Sequence, residues 1–165
     1  VTGRKEQLDI LVLGGLGGRV DQGFSQVHHL YAAYEEKRQS TTSQTGDLYL
    51  LSEESVSFIL PPGKNVIHTP FTHQQRPEHQ EEEEKEKDKK VFSENVGIIP
   101  LSGPTLISLK GFEWDVTDWR TEIGGQLSTS NHIRADKLEV DVGTDINRAV
   151  LFTVELGDRF KRIVK

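Results

Sequence analysis

Residues 8–22, LDILVLGGLGGRVDQ, decide how the chain is read. A nearly continuous apolar run, 8–13, rich in branched side chains, meets Gly14, Gly15, Gly17 and Gly18, then Arg19 and Asp21. The run predicts a strand covered on both faces in a parallel sheet. The glycines permit positive φ and let a ligand approach the main chain. Asp21 is placed to cap a helix that begins near Gln22. Strand, glycine turn and helix N-terminus, in that order, suit a phosphate, because unpaired N–H groups point outward and the helix dipole favours an anion. Arg19 adds a forked donor for phosphate oxygens. The two standard fingerprints are not met: GxGxxG begun at Gly15 puts Val20 in the third glycine's place, and no GxxxxGK[ST] occurs. A tight strand-to-helix turn with a salt-bridging Arg therefore stands beside the phosphate reading.

The chain has 165 residues, enough for one domain or two small ones sharing an interface. Its apolar fraction, 34%, is low for a packed domain, and one charged stretch accounts for much of the deficit. A net charge of −6 excludes a non-specific nucleic-acid binder, which needs a basic face to displace counterions. Without cysteine there is no disulfide framework, thiolate metal site or cysteine nucleophile. No apolar run approaches the length that spans a bilayer. The expectation is a soluble, cytoplasmic protein without a membrane partner. The polar lead-in from Val1 to Gln7 and the absence of any Met suggest a piece of a longer product.

Between 22 and 38, Phe24, Val27, His28, Leu30, Tyr31 and Tyr34 recur at three- and four-residue spacings, which predicts an amphipathic helix packed on the sheet. His28 and His29 have no evident partner and read as surface or core-edge residues. Short strands are predicted over 47–51 and 56–60, joined by the turn SEES, and Pro61, Pro62 and Gly63 then stop the sheet. After a further strand at 65–69 comes HQQRPEHQEEEEKEKDKK, 73–90, which cannot bury enough surface to offset its ordering entropy. It reads as a disordered or frayed-helical spacer between two strands. Beyond it, short strands are predicted over 96–100, 106–109, 114–116, 138–142 and 150–156. The fold class expected is α/β plus all-β: the C-terminal part of a parallel α/β nucleotide-binding domain, 1–60, followed by a β-sandwich of jelly-roll type, 61–165.

A second constellation lies in 111–131, GFEWDVTDWRTEIGGQLSTSN. Trp114 offers a flat face to an aromatic or cationic ligand. Ser128, Thr129, Ser130 and Asn131 offer the few oriented hydrogen bonds such a pocket needs. A core Trp followed by an Asx/ST turn reads equally well.

Taken in order, GGLGGRVDQ with its helix, LSEESVSFILPPGK, VGIIPLSGP, GFEWDVTD and GGQLSTSN closely resemble the second half of eukaryotic thiamine pyrophosphokinase. The resemblance covers most of the chain apart from the acidic insertion. It implies transfer of a pyrophosphoryl group from ATP to the hydroxyethyl oxygen of thiamine, with Mg²⁺, by a homodimer that holds thiamine at the subunit interface. By position, Gly17, Gly18, Arg19, Asp21 and Gln22 would lie at the nucleotide and pyrophosphate side. Arg19 would stabilise charge on the transferring group, and Asp21 would orient Arg19 or help hold Mg²⁺. Trp114, Ser128, Ser130 and Asn131 would lie at the thiamine side, with Trp119 the competing aromatic. The family's aspartate-rich motifs belong to the first half of its α/β domain, so the main Mg²⁺ ligands are expected upstream of Val1. The chain alone is therefore expected to be inactive. A non-catalytic module binding thiamine or its diphosphate is the alternative.

Overall fold

A computed structural model of the chain describes residues 8–40, 46–69, 90–144 and 148–161. The elements are β1 (Ile10–Leu13), α1 (Val20–Gln39), β2 (Leu48–Leu51), β3 (Ser55–Leu60), β4 (Gly63–His68), β5 (Phe92–Ile99), β6 (Thr105–Lys110), β7 (Trp119–Thr121), β8 (Ser128–His132), β9 (Lys137–Val142), β10 (Val150–Leu156) and α2 (Asp158–Lys161). They form a six-stranded sheet in the order β1-β2-β3-β10-β5-β8 and a four-stranded sheet in the order β4-β9-β6-β7. β1 and β2 are parallel and joined through α1, whereas every other described strand pair is antiparallel. The fold is thus mostly β with one long helix.

Alternation along β10 explains the layering. Val150, Phe152 and Val154 enter the main core between the sheets, with Ile98, Ile107, Leu138, Val140 and Ile133. Leu151 points the other way, into a smaller cluster with Leu30 and Leu50 under α1. Leu30 is the one buried residue of α1 among those described, and Tyr31 donates to the Ala149 carbonyl at 3.3 Å. Burial pushes the Tyr31 hydroxyl up to about 12. His28 and His29 lie exposed on the helix, as expected.

The expected turn at 52–55 has a visible cause: the Ser52 hydroxyl accepts the N–H groups of Glu54 and Ser55 at 3.2 and 3.0 Å. Leu60 ends a strand of one sheet and Gly63, at φ +97°, begins a strand of the other, so Pro61 and Pro62 carry the chain between layers. The six-stranded sheet takes strands from both sides of residue 60.

Four expectations are corrected. The apolar run 8–13 is not a strand buried on both faces: Ile10 and Leu11 are each 53% exposed, because β1 is an edge strand and α1 packs further in, over Leu50 and Leu151. The helix starts at Val20 rather than near Gln22, with Arg19 at the N-cap and no side-chain cap, so Asp21 lies inside the first turn. Phe24 is 64% exposed rather than packed on the sheet. Residues 114–116 form no strand; the local strand is β7, which starts at Trp119.

Two further expectations fall elsewhere. Most of the insertion 73–90 lies outside the described residues. So does the lead-in, 1–7, and the main Mg²⁺ ligands expected upstream of Val1 lie outside them as well. Among those residues no helix is long and apolar enough to cross a membrane.

Candidate functional site

The glycine turn leaves β1 with two anchored amides, since Gly14 and Gly15 both donate to the Leu51 carbonyl, at 2.7 and 3.2 Å. Gly14 and Gly18 take φ of +76° and +78°, left-handed values that favour glycine. A Cβ on Gly15 would come within 3.0 Å of the Leu50 side chain, whereas one on Gly17 would meet nothing within 4 Å. The amides of Leu16, Gly17 and Gly18 have no partner among the described residues. Arg19 and Asp21 form a two-point ion pair, Nε to Oδ1 at 3.1 Å and Nη2 to Oδ2 at 2.6 Å, exposed to solvent. That pairing with Arg19 holds the Asp21 carboxyl below its ordinary range, and Gln22 adds to the effect.

β1 and β8 occupy opposite edges of a six-stranded sheet. Five strand spacings separate them, roughly 24 Å. The glycine turn does not stay at its own edge. Leu16, Gly17, Arg19 and Phe24 line a groove of about 410 Å³ together with Ile99, Leu101 and Leu151. Ile99 follows Ile98, which pairs directly with Ser128 of β8. The turn thus reaches back over the sheet towards the strand that carries the second constellation.

That constellation is built from β8 and the loop 111–116. Gly111 accepts from the Arg134 N–H at 2.9 Å, Phe112 bridges Ile133, and the Glu113 N–H donates to His132 at 2.8 Å. The Asp115 carboxylate accepts the Phe112 N–H at 2.9 Å. Asn131 is 4% exposed, and its side chain meets both main-chain groups of Trp114: Oδ1 accepts the N–H and Nδ2 donates to the carbonyl, each at 3.1 Å. Trp114 itself is 54% exposed, whereas Trp119 packs against the main core. Between Val96 and Ile98 of β5 lies one residue, but between their partners Asn131 and Ser128 lie two, a β-bulge that holds Ser130 at φ +54°. Ser130 and Thr129 are exposed and Ser128 half-buried.

Sequence reasoning missed four residues around this loop. The His132 ring lies 5.2 Å from that of Trp114 at 40°, and its Nδ1 bonds Glu113 Oε2 at 2.6 Å. Arg134 bonds the same Glu113 oxygen and reaches Glu94 at 2.8 Å. His132, then Arg134, hold the Glu113 carboxyl below its usual range. His132 is the last residue of β8, and Arg134 lies two residues beyond it, past the bridge between Phe112 and Ile133. Nothing in the sequence says that Glu113 returns to meet them. Among the described residues no group of three or more His, Cys, Asp or Glu could hold a metal ion.

An open mixed six-stranded sheet with one βαβ unit, a glycine turn at its helix entrance and a four-stranded antiparallel sheet packed against it define the class: mostly β, with one long helix. The model of the thiamin pyrophosphokinase vitamin B1 binding domain matches residues 79–146. Thiamine pyrophosphokinase 1 of Arabidopsis thaliana is 27% identical over 141 residues, 84% of this chain and 42% of its own length. Thiamine pyrophosphokinase 3 of Oryza sativa subsp. japonica is 25% identical over 153 residues, 92% of this chain and 46% of its own length. The solved thiamin pyrophosphokinase from Candida albicans shares the fold with a TM-score of 0.68 at 23% identity, covering 91% of this chain and 45% of that one. The chain is thus similar to part of the thiamine pyrophosphokinases and spans less than half the length of the curated relatives it matches.

Proposed function

We propose that this chain serves a thiamine pyrophosphokinase, which transfers the terminal pyrophosphoryl group of ATP to thiamine. The hydroxyethyl oxygen of thiamine attacks the β-phosphorus, the bond to the α-phosphoryl oxygen breaks, and AMP leaves as thiamine diphosphate forms. The observation that carries the reading is the exposed Trp114 face, fixed on a buried Asn131 inside the region matched to the vitamin B1 binding domain. Its aromatic surface suits a cationic, aromatic ligand. Ser128 and Ser130 are read as hydroxyl contacts beside it. Gly17, Gly18, Arg19, Asp21 and Gln22 are read as the nucleotide side. There Arg19 would exchange its Asp21 partner for phosphate oxygens, and positioning with charge stabilisation would supply the catalysis.

In this reading residues 1–60 supply the nucleotide side and 61–165 the thiamine side, and two copies pair as a homodimer. Mg²⁺ belongs to the same reading, but the described residues do not fit it by themselves. Both Asp21 oxygens accept from Arg19, and no acidic cluster is present among the described residues. No step is therefore routed through the ion. The same observation favours a second reading, a module that binds thiamine or its diphosphate without turnover.

The test measures AMP and thiamine diphosphate formed from ATP, Mg²⁺ and thiamine by the intact gene product and by the 165-residue chain. Turnover by the intact protein with none from the chain is expected. Silence from both folded proteins, with thiamine bound, would leave the binding module as the account. Silence without binding would overturn both.

A further inference from the structure

We infer that Asn131 is a positioning residue, which acts on a ligand of the Trp114 face through the Trp114 main chain and does not itself touch that ligand. The inference rests on the functional reading above. Asn131 sits on β8 opposite Val96, a residue of the main core, and is 4% exposed. Its Oδ1 accepts the N–H groups of Trp114 at 3.1 Å and His132 at 2.8 Å, while Nδ2 donates to the Trp114 carbonyl at 3.1 Å. Two acceptor sites and one of two donor hydrogens are thus used inside the protein. The amide stands in for a neighbouring strand, satisfying both main-chain groups of a residue that lies outside any strand.

With its main chain fixed this way, Trp114 can present an indole face at 54% exposure without the loop collapsing onto it. The His132 ring lies against the indole, 5.2 Å away at 40°. The chemistry explains the residue type. Aspartate would set a carboxylate oxygen against the Trp114 carbonyl, serine would be too short, and glutamine too long by a methylene.

The chain has two tryptophans, so Trp119→Phe leaves Trp114 as the single indole reporter. In that background, Asn131→Asp should lower the fluorescence anisotropy of Trp114 and raise its quenching by acrylamide with no ligand present. Thiamine affinity, read by calorimetry on the full chain, should fall about tenfold, the loss expected when a buried hydrogen bond is replaced by an unmatched group. In a Trp114→Ala chain, the same Asn131→Asp change should produce no further loss. An equal loss with and without Trp114 would show that Asn131 meets the ligand directly and would overturn the inference. So would an unchanged Trp114 signal. Failure of the folded parent to bind thiamine would overturn the functional reading instead, while the ligand-free anisotropy still tests the clamp. Should Trp119→Phe fail to fold, fluorine NMR of 5-fluorotryptophan in the parent and Asn131→Asp chains reads the same change, with Trp114→Phe assigning the resonance.

Discussion

Around Trp114, successive main-chain groups of the loop are bonded to β8, to Arg134 just past it, or to the Asn131 and Asp115 side chains. Around Arg19, the amides of residues 16–18 lack described partners and the two charged side chains meet each other in solvent. One region is organised before any ligand arrives. The other leaves its amides and its ion pair facing solvent. Preorganised groups lose less freedom on binding, so they suit selection of one ligand. An exposed ion pair contributes little to folding, so Arg19 can change partners at small cost.

The contrast is broken most severely through phenylalanine, which each region carries once in a telling place. Phe112 is 5% exposed and holds the Trp114 loop to the main core, whereas Phe24 is 64% exposed beside the glycine turn. Phe112→Ala should cost about 3–5 kcal/mol in denaturant unfolding. Phe24→Ala should stay within about 0.5 kcal/mol. Similar losses at the two positions would mean that the glycine end is covered by protein and not open.

Next in size is a comparison within the glycine turn. Gly18 has φ +78° and Gly17 does not have a left-handed φ. Gly18→Ala should therefore destabilise by about 1 kcal/mol. Gly17→Ala should leave stability equal or raised by up to about 1 kcal/mol. If the open space at Gly17 serves a ligand, that same variant loses nucleotide binding in the intact protein while its unfolding curve is unharmed.

A smaller effect probes the bulge. Ser130 holds φ +54°, a conformation that glycine adopts freely and that branched side chains resist. Ser130→Gly should keep or slightly raise the unfolding midpoint, while Ser130→Val should lower stability by about 1–2 kcal/mol. Loss of thiamine binding in the glycine variant alone would assign the effect to the missing hydroxyl.

Much of the frame was legible because its signals are local. SEES, PPG and the alternation in 150–156 give turns, a sheet exit and a two-faced central strand. The burial of 8–13 was not legible, because an apolar run does not say whether neighbours cover it. β8 was missed since STSNH shows no apolar alternation: its inward residue, Asn131, is polar and its bulge breaks the period. The different burial of Trp114 and Trp119 also lay beyond the sequence, because both sit in one polar stretch and only the pairing of the loop with β8 separates them. The resemblance proposes site residues one by one, whereas the bonds from the Asn131 side chain to the Trp114 main chain are visible only in the fold.

The mildest perturbation is acid, and its sign follows from Glu113. Contact with His132 and Arg134 holds this carboxyl below its ordinary 4.5, so the folded form favours the carboxylate. Its contribution is complete above the unfolded value and is lost as pH falls through the lowered one. Glu94, on β5, shares Arg134 and screens the same cluster. Protonation of Glu113 removes the acceptor from both His132 and Arg134, freeing the ring on which Trp114 leans. In the Trp119→Phe chain, Trp114 emission should therefore change reversibly below pH 4.5 while the far-ultraviolet signal of the sheets stays constant. Glu113→Gln should abolish that step. If the step survives in the glutamine variant, the loop is held by its main-chain bonds to β8 and by Asn131 alone. The ring contact would then be a consequence of that order rather than a part of it.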